Sequence, residues 1–138
     1  MISTGNIHLS TKGHADLHDV TEDVANLVRQ SGMKAGIVTI FTPSSTSALT
    51  TIEFEPGCVA DLQSLLDQII PPSATYQHNQ RWGDGNGHSH TRAALLGPSL
   101  TIPFEDGRPT LGTWQQIIFC DFDNRPRQRN LVVQIMGE

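Results

Sequence analysis

Cysteine is scarce in this chain, and long apolar runs are absent. Only Cys58 and Cys120 occur among 138 residues, and they lack metal-motif spacing, so we expect two reduced thiols rather than a disulfide. No apolar stretch reaches the length of a transmembrane helix. The N-terminus also lacks the basic-then-apolar pattern of a signal peptide. These absences predict a cytoplasmic protein with no membrane partner.

Positive charge is also in short supply. Nine Lys and Arg residues stand against 14 Asp and Glu residues, which gives a net charge of −5 at pH 7. This balance argues against broad contact with nucleic acid or anionic membranes, although it permits a local basic pocket. Since the sequence shows no repeat or linker, we predict one domain over 1–138 that folds without disulfide bonds.

Apolar periodicity predicts two main helices and several strands. A helix over 20–31 follows Asp19-Val20-Thr21-Glu22, which is typical of a capping box. A second helix around 62–69 follows a predicted turn at Pro56-Gly57 and ends at Pro71-Pro72. Two helices and many later strands indicate an α+β fold with largely antiparallel pairing. Strands are predicted at 2–9, 37–41, 48–54, 99–104, 114–122 and 131–136.

Residues 78–90 form a histidine- and glycine-rich segment without a hydrophobic period, which predicts a functional loop rather than a packed helix or strand. Neutral imidazole is the commonest protein metal ligand. In an extended segment His88 and His90 point to one face, and with His78 they would bind a divalent ion, Zn or Mg. In the first turn of a helix those two rings would diverge. Asp84 would add a ligand or orient an imidazole.

The alternative for this segment is a polar surface loop whose histidines form local hydrogen bonds. A comparable choice applies to Ser44, Ser45 and Thr46, which follow a predicted strand. Their hydroxyls and backbone N–H groups favour an anion-binding nest, or they bond to their own backbone in a turn. Arg127, in a short basic run, would hold phosphate bidentately or lie in a solvated hairpin turn.

Two further candidates lie in predicted strands. Glu53 stands between apolar residues and would act as a general base or ligand anchor, or simply face solvent. The run Gly112-Thr113-Trp114-Gln115 would form a pocket wall, because glycine permits close approach and Gln bonds in two directions. The alternative is a hairpin edge with a core Trp.

Six segments occur in an order and spacing that match a known family over nearly the whole chain. They are Phe41-Thr42-Pro43-Ser44-Ser45-Thr46-Ser47-Ala48-Leu49 with Glu53; Tyr76-Gln77-His78-Asn79; Asp84-Gly85-Asn86-Gly87-His88-Ser89-His90; Leu95-Leu96-Gly97-Pro98-Ser99; Ile102-Pro103-Phe104-Glu105-Asp106-Gly107; and Leu111-Gly112-Thr113-Trp114-Gln115. Together they resemble the YjbQ family, also called UPF0047 or the secondary thiamine-phosphate synthase family.

The resemblance implies a mostly antiparallel, mixed β-sandwich with two main helices, assembled as a homotrimer with sites near subunit interfaces. It also implies weak thiamine-phosphate synthase activity, which couples a hydroxymethylpyrimidine pyrophosphate to a thiazole phosphate and releases pyrophosphate. A divalent ion would neutralise the leaving group. Catalytic roles would fall to Glu53, His78, Asp84 and His90. Substrate contacts in this reading are Ser44, Ser45, Thr46, Asn86, Thr113, Trp114, Gln115 and Arg127.

The chain departs from the family pattern at Ser44, where many relatives have His in a Pro-His-Thr-Thr motif. If that histidine binds metal or takes part in catalysis, this protein lacks it, unless His88 compensates. The alternative function is therefore a non-catalytic trimeric protein that binds a phosphorylated metabolite or a metal.

Overall fold

Eight strands and four helices make up the computed structural model, which describes residues 1–138. None of the four helices combines the length and apolarity needed to cross a membrane. In chain order the elements are β1 (Ile2–Thr11), β2 (Asp16–Asp19), α1 (Thr21–Ser31), β3 (Ala35–Phe41), β4 (Ser47–Ile52), α2 (Pro56–Ile69), α3 (Gln77–Trp82), α4 (Gly87–Leu96), β5 (Ser99–Glu105), β6 (Arg108–Pro109), β7 (Gln116–Asp121) and β8 (Arg127–Gly137).

The strands form two sheets, and every pairing between strands is antiparallel. The larger sheet has the order β1-β8-β3-β5-β6 and the smaller one β2-β7-β4. The predicted α+β class and β-sandwich are thus confirmed. The two predicted helices are also present, as α1 and α2, and the structure adds two more.

The smaller sheet is covered on both faces, which explains the unbroken apolar run of its central strand, β7. Ile117 and Phe119 pack into a core shared with the larger sheet and α1. Ile118 and Cys120 point the other way, into a second core beneath α2 and α4. Burial raises the pKa of the Cys120 thiol to about 12, so this cysteine is an inert core residue.

The two predicted helices begin differently from their sequence signals. The Asp19 carboxylate accepts hydrogen bonds from the Thr21 backbone N–H and hydroxyl at 2.9 and 2.6 Å. The reciprocal half of a capping box does not form, because Glu22 pairs with Arg29 at 2.7 Å. The turn predicted at Pro56-Gly57 is instead the first turn of α2, with Pro at its start.

The loop predicted over 78–90 is wrong for most of that segment, because α3 and the start of α4 occupy it and only residues 83–86 lie between the two helices. Most of the buried residues of α4 are small or polar, so its sequence lacks the helical spacing of apolar residues that would predict it. Hydrogen bonds fix its start: Gly87 N donates to Asn79 Oδ1 at 2.8 Å, and the buried Ser89 hydroxyl donates to the Phe122 carbonyl. A side chain at Gly87 would collide with Tyr76, since its Cβ would lie 2.5 Å from the Tyr76 Cβ.

Candidate functional site

A polar recess of about 370 Å³ opens where β4 begins and β7 ends. Ser47 and Asp121 are paired across these antiparallel strands, so the turn before β4 lies beside the residues that follow β7. The start of β8 and the start of α4 complete the walls. No hydrophobic side chain lines this arginine recess, which is formed by Pro43, Ser44, Ser45, Thr46, Asn86, His90, Asp123, Arg127 and Arg129.

Arg129 links the protein core to the hydroxyl turn. Its Nε and Nη2 donate to the two oxygens of the fully buried Asp121 at 2.7 and 3.0 Å. Its Nη1 donates to Ser44 Oγ and its Nη2 to Thr46 Oγ1, both at 2.9 Å. Thr11 adds a third donor to Asp121 at 2.5 Å. A charged pair with this many bonds fixes the turn against the end of β7.

Arg127 is held in a similar way by Asp123, which is also buried. Its Nε and Nη2 lie 2.9 and 2.8 Å from Asp123 Oδ2. Burial alone would raise the pKa of Asp123, but the Asn124 backbone N–H, the Arg127 guanidinium and Asn86 hold it below the ordinary value. The carboxylate is therefore ionised, and Arg127, a third exposed, keeps its Nη1 without a protein acceptor at the recess.

Of the five predicted site residues in the 78–90 segment, four lie together and His88 is the exception. The His78 and His90 rings have centroids 4.4 Å apart and are tilted by 56°. His78 Nε2 lies 3.2 Å from Asp84 Oδ1, and Asn86 contacts the same nitrogen at 3.0 Å. His90 also lines the arginine recess. These four side chains thus form one wall of the site.

The Asn86 amide connects this wall to the buried carboxylates. In one orientation its nitrogen donates to Asp123 Oδ1 over 3.4 Å, and its oxygen faces Asp84. In the other, the nitrogen donates to the two Asp84 oxygens at 3.0 and 3.2 Å. The second orientation gives up the bond to Asp123 and places the amide nitrogen 3.0 Å from His78 Nε2, which then accepts a hydrogen bond. In the first orientation, which keeps the bond to Asp123, His78 Nε2–H donates to the Asn86 oxygen at 3.0 Å and to Asp84 at 3.2 Å, and these two acceptors hold the His78 ring in place.

His88 is not part of this site. It lies on α4 two residues before His90, and two residues of a helix separated in this way project to different faces. The clamp predicted for an extended segment therefore does not form, and His88 lines a different recess with His14 and Arg92. In the described chain no three His, Cys, Asp or Glu side chains are grouped to hold a metal ion. A single imidazole, that of His90, lines the arginine recess, and with the adjacent His78 ring the count is two, fewer than the three protein ligands of a usual catalytic zinc.

Glu53 and residues 113–115 lie at the opposite end of the smaller sheet. β4 runs from Ser47 to Ile52, so Glu53 stands roughly 20 Å from the hydroxyl turn by strand rise. Gln115 Nε2 donates to Thr51 Oγ1 at 3.1 Å, near that same far end. Glu53, Thr113, Trp114 and Gln115 therefore do not share a cleft with His78 and His90 within one chain. Trp114 is 71% exposed, so it is not a core residue either.

Sequence reasoning missed three residues of the site: Asp121, Asp123 and Arg129. Their signal was present in Cys120-Asp121-Phe122-Asp123, where two acids alternate with apolar residues at the end of an apolar run. Alternating residues of a strand share a face, and buried acids require cationic partners. The basic run at 125–129 supplies those partners from the beginning of β8, which was predicted to be a hairpin turn.

The comparisons with known proteins agree over the whole fold. A sequence model described as UPF0047 protein YjbQ-like matches residues 5–138. A UPF0047 protein of Methanothermobacter thermautotrophicus is 38% identical over 137 residues, 99% of this chain and 94% of the relative. One of Archaeoglobus fulgidus is 34% identical over 128 residues, 93% and 97% of the two chains.

Solved structures show the same similarity. A YbjQ-like protein of unknown function from Sulfolobus solfataricus has a TM-score of 0.95 at 33% identity, covering 100% of this chain and 99% of that one. A hypothetical protein from Aeropyrum pernix has a TM-score of 0.91 at 30% identity, covering 99% of each chain. The sequence match and the shared fold both extend over nearly all of its length, and the chain belongs to the YjbQ-like UPF0047 family.

Proposed function

We propose that the arginine recess binds the phosphate or pyrophosphate group of a small metabolite. The observation that carries this proposal is the free Nη1 of Arg127 beside the Ser44–46 hydroxyls, in a recess with no apolar lining. Arginine matches the geometry of phosphate oxygens. Because Asp121 and Asp123 hold the two guanidinium groups, the donors are already oriented when a ligand arrives.

The proposed reaction is the one that the family resemblance implies: transfer of a hydroxymethylpyrimidine group from pyrophosphate to a thiazole phosphate. When the carbon–oxygen bond to pyrophosphate breaks, negative charge collects on the departing oxygens. Arg127 and the turn hydroxyls would stabilise that charge. His90 would give a proton to the leaving group, while Asp84 orients the neighbouring His78. Glu53 takes no part in this scheme within one chain.

A divalent ion at His78 and His90 is a separate proposal, and it needs a donor beyond these two rings. Elemental analysis of untagged protein tests it, repeated with His78→Ala and His90→Ala. About one ion per chain, lost in both variants, would support a metal at this wall. If the purified protein contains no ion, the metal proposal is wrong and the wall is part of a histidine-lined anion site.

We also propose the homotrimer, which apolar side chains on the outer face of the larger sheet support. Ile2, Ile37, Phe41 and Met136 are all exposed there, and cross-strand pairing brings Met136 next to both Ile2 and Ile37. Sedimentation equilibrium of the intact chain measures the assembly directly. A trimer mass that falls to the monomer mass in Phe41→Asp would support this face, whereas an unchanged trimer would place the interface elsewhere.

Calorimetry with inorganic pyrophosphate tests the proposed site. We expect Arg127→Met to weaken binding by about tenfold or more, because a charge-assisted bond contributes about 1.5–3 kcal/mol. The matched control is Arg108→Met, which removes an exposed arginine of β6 at a distance from the recess. Equal affinity for pyrophosphate in wild type and Arg127→Met would contradict the proposal that the arginine recess binds phosphate.

Turnover separates an enzyme from a binding module. The two proposed substrates are incubated with wild-type protein and with His90→Gln, and product is measured after quenching. Product that depends on His90 favours the transferase. Pyrophosphate binding without any product favours the alternative, a non-catalytic protein that captures a phosphorylated metabolite.

A further inference from the structure

A second recess, of about 250 Å³, lies on the other side of α4 from the arginine recess. It is enclosed by α2, α4 and the loop between β1 and β2. Its polar lining consists of His14, Gln63, Asp67, His88 and Arg92. The proposed phosphate site uses none of these five side chains, so their chemistry needs its own explanation.

His88 has an unmet hydrogen-bonding group in this recess. The side chain is buried, with 4% of the residue exposed, and its Nδ1 has no hydrogen-bond partner. Its Nε2 has only a long contact of 3.5 Å with Ser89 Oγ. Burial, Arg92 and His14 lower the pKa of His88, so the ring is neutral at pH 7 and one of its nitrogens carries a proton. Buried polar groups in native proteins are nearly always paired, and an orphan calls for a partner.

Arg92 lies one helical turn after His88, on the same face of α4. It is 3% exposed. Nε and Nη2 donate to the Ile70 carbonyl at 3.1 and 2.8 Å, and Nη2 also reaches Asp67 at 3.0 Å. Nη1 donates to no protein group. A buried guanidinium anchored on two of its nitrogens therefore keeps the third available beside the unpaired His88.

The loop that presents His14 has an unusual backbone. Gly13, His14 and Ala15 have positive φ angles of 79°, 57° and 60°, and for His and Ala such angles are strained. Two hydrogen bonds hold the loop: His14 N donates to the Asp123 carbonyl at 2.7 Å, and Gln63 Nε2 donates to the Ala15 carbonyl at 2.8 Å. Strain of this kind is concentrated at functional sites. Here it places a second imidazole at the edge of the recess.

We propose that this recess binds a small organic carboxylate. Arg92 Nη1 and the His88 ring would donate to its oxygens, with His14 at the entrance. Asp67, two-thirds exposed, already offsets part of the Arg92 charge, so the recess suits a monoanion better than a phosphate dianion. In the described chain no three His, Cys, Asp or Glu side chains are grouped to bind a metal, which argues against a metal ion as the occupant of this recess.

The test is an NMR titration of intact protein with ¹⁵N-labelled histidine, using acetate as the probe and sodium chloride to hold ionic strength constant. The His88 signals are assigned by their loss in His88→Gln. We expect a saturable shift of the His88 nitrogens with acetate and a smaller one with inorganic phosphate. Shifts that sodium chloride reproduces would show a general salt effect rather than carboxylate binding and would overturn the proposal, as would no shift at all.

Two variants locate the binding. Arg92→Lys keeps the charge but not the guanidinium fork, and we expect acetate affinity to fall about tenfold. Arg81→Lys, on the exposed surface of α3, is the matched control and should leave the titration unchanged. Affinity that survives in folded Arg92→Lys would contradict the assignment. The wild-type titration stands by itself if that variant fails to fold, and it is independent of pyrophosphate binding in the arginine recess.

Discussion

The Arg129 guanidinium bonds at the same time to the buried carboxylate of Asp121 and to the hydroxyl of Ser44. The distances are 2.7 Å from Nε to Asp121 Oδ2 and 2.9 Å from Nη1 to Ser44 Oγ. The residue thus joins the end of a core strand to a surface turn. The stability of the fold and the ligand positioning proposed for this recess would both depend on this one side chain.

Arg129→Met should destabilise the protein by about 3–5 kcal/mol, because it leaves Asp121 buried without its cation. Urea unfolding measures the change. Arg125→Met, which removes an exposed arginine without an ion pair, should cost less than about 0.5 kcal/mol. Similar losses in the two variants would show that the buried pair contributes little.

Gly87→Ala should also destabilise the protein, by about 1–3 kcal/mol. The new Cβ would lie 2.5 Å from Tyr76 Cβ and 2.8 Å from its Cγ, which outweighs the better helix propensity of alanine. Gly112→Ala is the control, since its Cβ would have no neighbour nearer than 3.6 Å. A Gly87→Ala protein as stable as wild type would mean that Tyr76 moves aside freely.

Mild acid should weaken folding through His88. Its pKa in the folded protein is below the ordinary 6.5, so only the unfolded chain takes up a proton as the pH first drops below that value. The resulting stability is complete above 6.5 and declines below it. His88→Gln should reduce this pH dependence, whereas His8→Gln, on the exposed side of β1, should not. Unfolding free energies on both sides of pH 6.5 provide the comparison.

Stronger acid should act through Asp123. Its folded pKa lies below the ordinary 3.8, so the stability that it provides is present above 3.8 and is lost as the pH falls towards the folded value. Asp123→Asn should flatten the acid limb of the stability curve. Asp106→Asn, at an exposed turn position with φ 50° that Asn tolerates, should keep the wild-type curve. Parallel acid limbs in wild type and Asp123→Asn would refute the assignment.

The sequence predicted those helices and strands whose buried side chains are apolar. Both α1 and α2, and six of the eight strands, carry side chains with a clear period or an unbroken apolar run, whereas the short polar strands β2 and β6 were not predicted. The start of α4 was missed because its buried residues Gly87, His88 and Ser89 are small or polar, and because Gly87 N and Ser89 Oγ are held by hydrogen bonds to Asn79 and Phe122. The local pattern of apolar and polar residues cannot predict such hydrogen bonds, since their partners come from other parts of the chain.

The candidate site was also predicted only in part. Their catalytic roles stay predictions, but residues close in sequence, such as His78, Asp84, Asn86 and His90, were brought together by the fold. Glu53 and Trp114 were not, because the direction of β4 and β7 carries them to the far end of the sheet. Whether two residues that are distant in sequence meet in one site depends on the pairing register of their strands. That register depends on the whole sheet rather than on any motif.

The covering of the smaller sheet on both faces has a consequence for how a ligand binds. β7 is the least solvent-accessible strand of the fold, and it ends directly at Asp121, from which the arginine recess is built. The recess is already open in this structure, and its wall rests on a strand that is buried in the core. A ligand of the proposed phosphate site would therefore meet a preformed recess, and we expect its association rate to be set by diffusion and charge rather than by the closing of a loop.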